Sequence, residues 1–112
     1  MGLQENYVGG DYGWSPEHDS IAGLIDKVGR RGGDATFDSL VKASNAFNKS
    51  LKHHSNGSFR DAHNELQIAA EHIGTAASLG AADGADPYYG MAMTPKELAD
   101  HHVRSYKHGY LS

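Results

Sequence analysis

Residues 58–80 read SFRDAHNELQIAAEHIGTAASLG, and the folding of this stretch decides the architecture. Ala62, Leu66, Ala69, Ile73 and Ala76 recur at alternating steps of four and three, which is the period of one helical face. A strand would need its apolar residues at every second position. Because the seam is mostly alanine, a partner helix can approach it closely. Ser58 is suited to cap this helix, Asp61 falls in its first turn, and Leu79-Gly80 marks its end.

The partner lies directly upstream. Between about 35 and 54, Phe37, Leu40, Val41, Phe47 and Leu51, with Ala43 and Ala46, keep a 3.6-residue period. Lys49, Lys52, His53 and His54 load the C-terminal end, where the helix dipole favours cations. Ser55-Asn56-Gly57 then breaks the chain. Two helices of this length across so short a break form an antiparallel hairpin.

Two shorter helices flank the hairpin. In the first, over about 16–31, Ser15 caps and Pro16 takes the first position. Ile21, Leu24, Ile25 and Val28 form its stripe, and Arg30-Arg31 and Gly32-Gly33 end it. The last opens on MTPKEL, where Thr94 and Glu97 complete a capping box and Met93 is placed to staple to Leu98. Its inner face runs through Leu98, His102, Val103 and Tyr106 to about Tyr110. No segment reads as a strand, so the fold class is all-α. The chain divides into an extended Gly/aromatic arm (1–14), a helical core with the hairpin (15–80), a loop (81–93) and a C-terminal helix and tail (94–112).

At 112 residues with 38% apolar content and 14 glycines, this is one domain with a modest core and long irregular attachments. The absence of cysteine excludes disulfides and thiolate metal sites. No apolar run is long enough for a membrane span, and no secretory pattern opens the chain, so a soluble protein made inside the cell is expected. Charge is laid out in blocks. Residues 1–26 carry Glu5, Asp11, Glu17, Asp19 and Asp26 with no Lys or Arg, 27–60 are basic, and 61–93 are acidic again. Such alternation fits complementary protein surfaces better than a nucleic-acid footprint, which needs a larger basic excess.

Eight histidines raise the question of a metal: His18, His53, His54, His63, His72, His101, His102 and His108. Helical metal sites use ligands three or four residues apart on one face, and only Glu97 with His101 approaches this. Most of the eight therefore read as solvated or helix-terminal side chains, and no metal or other cofactor is expected. Without strands there is no nucleophile elbow, and GADGAD lacks the Lys-Ser/Thr of a phosphate loop. No catalytic set emerges, and an enzyme is not expected.

Gly57, Phe59, Ala62 and Ala69 in GSFRDAHNELQIAA resemble one tetratricopeptide hairpin, which would imply a helical adaptor. The match covers a single repeat and lacks the proline after its second helix. The whole chain resembles, in style rather than motif, the small helical virion proteins of tailed bacteriophages. The resemblance rests on the arm YVGGDYGW, the alanine-lined hairpin, the acidic glycine loop and the aromatic tail RSYKHGYLS. It implies a non-catalytic, multi-copy minor capsid or head accessory protein, made in the host cytoplasm and residing in the virion. Its arm would lie along capsid or other virion subunits, or along further copies of itself. Tyr7, Tyr12 and Trp14 in the arm, with Tyr88, Tyr89, Tyr106 and Tyr110, are the expected partner-binding residues, because large aromatics concentrate interface energy. The alternative is that the arm aromatics fold back onto the chain's own hairpin.

Overall fold

A tight turn organises the molecule. Helix α2 (Asp34–Ser55) and helix α3 (Phe59–Gly80) are each 22 residues long and are joined through Asn56, Gly57 and Ser58. The Ser58 amide donates to the His53 carbonyl at 2.9 Å and the Gly57 amide to the His54 carbonyl at 3.1 Å. These are the two bonds of a Schellman cap, and they require a left-handed residue at Gly57, whose φ is +78°. The Ala62 amide then donates to the Ser58 carbonyl at 2.9 Å, and α3 is under way. The glycine resembling a repeat signature is thus explained by this turn.

Two more helices complete the computed structural model, which describes residues 16–29, 34–80 and 93–111: α1 (Pro16–Gly29) and α4 (Pro95–Tyr110). No strand occurs among the described residues, and the chain is all-α. Helix α4 begins with the capping box read in the sequence. The Thr94 hydroxyl accepts from the Glu97 amide at 3.2 Å, and the Thr94 amide donates to the Glu97 carboxylate at 2.9 Å. Met93 packs against the core beside it. Near this start the Lys96 stem lies over Gly74 of α3, while Tyr106 near the far end reaches His54 of α2. Helix α4 therefore runs antiparallel to α3. Helix α1 starts where α4 finishes, since His18 touches both Ser50 and Tyr106. The result is an up-down-up-down bundle.

Its core draws on every helix: Ile21, Leu24 and Ile25, then Leu40 and Phe47, then Leu66 and Ile73, then Leu98 and Tyr106, all essentially without exposure. The alanine seam of α3 is buried as its period requires, Ala62, Ala69 and Ala76 included. In α2 the stripe is rotated from the expected one. Thr36 is buried whereas Phe37 is 60% exposed and Val41 lies at the surface. Leu40, Ala43 and Phe47 fix which way the helix faces, and at 100° per residue that direction takes Thr36 inward and leaves Phe37 outside.

Candidate functional site

Side chains from all four helices converge at the end of the bundle that carries the 56–58 turn. His18 is fully buried, and its Nε2 lies 3.1 Å from the Ser50 hydroxyl. That hydroxyl donates its one proton to the Ala62 carbonyl at 2.9 Å, so it can only accept from His18. The neutral ring therefore carries its proton on Nε2. The rings of His54 and Tyr106 meet the His18 ring edge-on, with centroids 5.0 Å and 5.4 Å away, and Phe47 lies at 5.8 Å. Next to it, His54 Nδ1 and the Tyr106 hydroxyl are 2.7 Å apart. His63 stacks on the Tyr106 ring, and Phe59 and Tyr110 close the outer side against His54.

Burial dominates the electrostatics. It holds the His18 pKa down at about 3, and the nearby His54 charge acts in the same direction. His63 is also lowered, by burial first and by Lys107 second. A serine within reach of a histidine resembles a nucleophile–base pair, but the proton runs the opposite way. An activating base must take the serine proton, whereas His18 donates to Ser50, whose own proton is committed to Ala62. Ser50, His18 and Tyr106 also have no exposed surface for a substrate to reach. The arrangement ties α1 to α2, α3 and α4 at one point.

Sequence reasoning missed this cluster by treating most of the eight histidines as solvated or helix-terminal without singling out His18 and His63. His18 and His63 are buried instead. The signal was present: His18 continues the Ile21, Ile25 and Val28 stripe backwards by three, and Ser50 and His54 continue the Ala43 and Phe47 stripe forwards. Among the described residues, no three His, Asp or Glu side chains are grouped to hold a metal ion, and no helix is long and apolar enough to cross a membrane.

Of the expected partner-binding residues, Tyr7, Tyr12, Trp14, Tyr88 and Tyr89 lie outside the described residues. Tyr106 is fully buried and belongs to the core, as its place on the inner face of α4 requires, so it cannot anchor a partner. Tyr110 is 37% exposed and forms one wall of a shallow groove of about 440 Å³, together with Phe59, Arg60 and Leu111. Comparison with known proteins adds nothing to this geometry. No protein family, curated protein or solved structure matches the chain.

Proposed function

We propose that the chain is a non-catalytic structural protein, a multi-copy component of tailed-phage virions that binds neighbouring subunits through its N-terminal arm and aromatic tail. The carrying observation is the mutual burial of the four helices, whose apolar stripes join in one cluster pinned by His18, Ser50 and Tyr106. The four helices share one core, and the sequence adds an arm with Tyr7, Tyr12 and Trp14 on glycine spacing that suits a partner surface. Glycines let such a segment lie flat on another surface, and its aromatics supply the anchors. At the tail, Tyr110 presents part of its ring to solvent beside the groove.

Deletion of residues 2–13 tests this reading. Circular dichroism of the truncated chain should keep its helical signal, while its incorporation into particles, measured by mass spectrometry of purified virions, should fall steeply. Loss of the fold with unchanged incorporation per folded molecule would make the arm a lid on its own core and sink the proposal. So would particles in which the full-length chain is absent.

A further inference from the structure

The turn end is the basic pole of the described bundle. Lys49 and Lys52 on α2, Arg60 on α3, and Arg104 and Lys107 on α4 are all exposed there, against Asp61, the half-buried Glu65 and, in the first turn of α1, Glu17 and Asp19. None of the five belongs to the Lys42–Asp38 or Lys96–Asp100 ion pairs, which lie towards the opposite end. Within this pole sits the groove between Phe59 and Tyr110, with Arg60 on its rim. The groove is lined by Phe59, Tyr110 and Leu111 with Arg60 and Asp61, and the exposed cations around it suit a segment that carries aromatic and acidic side chains.

The chain itself holds such a segment. Glu5 and Asp11 lie in the arm, Glu17 and Asp19 follow directly, and no Lys or Arg precedes Lys27. Tyr7, Tyr12 and Trp14 stand between these acids. Helix α1 starts at this same pole, because His18 in its first turn packs on His54 and Tyr106. The chain therefore enters α1 at the pole that carries the groove, and the fourteen residues of the arm can span up to ~50 Å when extended. Two copies facing each other through these poles bring their exposed cations together, and an acidic arm between them offsets that charge. Arm and groove lie at one pole, so a two-fold pair lets each arm reach the other copy's groove and closes without open ends.

We infer that the groove formed by Phe59, Arg60, Tyr110 and Leu111 receives the N-terminal arm of a second copy, reciprocally across a two-fold axis. The inference deepens the assembly reading and rests on it. An aromatic of the arm fills the slot, and Glu5 and Asp11 face the Arg60 and Lys107 side of the pole. The charge contribution is screened as salt rises.

The full-length chain should self-associate in sedimentation experiments as its concentration is raised, and less so at high salt. Deleting residues 2–13, or reversing charge in Arg60→Glu/Lys107→Glu, should each weaken the pair by about tenfold or more. Tyr110→Ala gives an independent groove variant, and circular dichroism certifies that each variant is folded. The arm variant Glu5→Lys/Asp11→Lys should also fail to pair alone, yet associate when mixed with Arg60→Glu/Lys107→Glu. A chain that stays monomeric throughout, or pairs equally well without its arm, overturns the inference, and so does mixing without rescue. If the arm is needed for particle entry while the chain stays monomeric, only the inference falls. If the arm is dispensable for particle entry, the assembly reading falls.

Discussion

Ser44 and Ser50 stand six residues apart on α2, both buried, yet their hydroxyls are treated differently. Ser50 bridges His18 and the Ala62 carbonyl, so its loss would strand a buried ring nitrogen. The Ser44 hydroxyl is buried with no hydrogen-bond partner among the described residues. A buried polar group without a partner retains its desolvation penalty, and removing it is neutral or favourable. Ser44→Ala should therefore raise stability by about 1 kcal/mol, with some of the gain from the better helix propensity of alanine. Urea unfolding at neutral pH checks this, and a loss of stability would mean that the hydroxyl is satisfied after all. Ser50→Ala should move the same measurement the opposite way.

At the level of elements, both ends of the hairpin turn and its seam are open to test. Gly57 has nothing within 4 Å of where a Cβ would sit, so Gly57→Ala meets no clash, only the left-handed φ of +78°. That conformation costs an L-residue about 1–2 kcal/mol, and thermal melting should fall by the corresponding amount with the helices intact. An unchanged melting temperature would show that the turn adopts another cap. Ala69 is fully buried in the α3 seam, where Ala69→Leu should overpack a close crossing at about 1–3 kcal/mol. Stability equal to the parent would place Ala69 away from the seam. These elements were legible in the sequence because each carries a local cause: the Thr94/Glu97 box, the Asn56-Gly57 break, the four-three alternation of α3. Helix facing was less legible. Phe37 and Val41 satisfy a helical period, yet which of several adjacent stripes turns inward is decided by the neighbours, and Leu40 and Phe47 prevail. The buried cluster was hidden for a related reason, since a histidine on an apolar stripe is recognised as core only once other helices supply Ser50 and Tyr106.

Across the whole molecule, the clamp that joins α1 to the other helices works only while His18 is neutral. Ser50 and His54 face it from α2, the Ala62 carbonyl lies behind Ser50 on α3, and Tyr106 faces it from α4, with His63 and Lys107 beyond. Its pKa in the fold is about 3 against 6.5 in an unfolded chain. Between those two values the unfolded state binds the extra proton, so stability falls as pH falls, by about 1.4 kcal/mol per unit. Above the higher value both states are neutral and His18 contributes no slope, and below the lower value both are protonated. His63, whose pKa is also lowered, adds loss in the same direction. From pH 7 to pH 4.5 the His18 contribution amounts to about 3 kcal/mol, a large part of the roughly 5–15 kcal/mol available to a small domain. Carboxylates titrate over the same range, so the decisive quantity is a difference between two proteins. In His18→Gln the side-chain amide can still donate to Ser50 but takes up no proton. Denaturant unfolding at both pH values should show the parent losing about 3 kcal/mol more than this variant, even if the variant is weaker at neutral pH. Equal losses would mean that His18 is not held neutral in the fold, and that the four helices are tied together by something other than this ring.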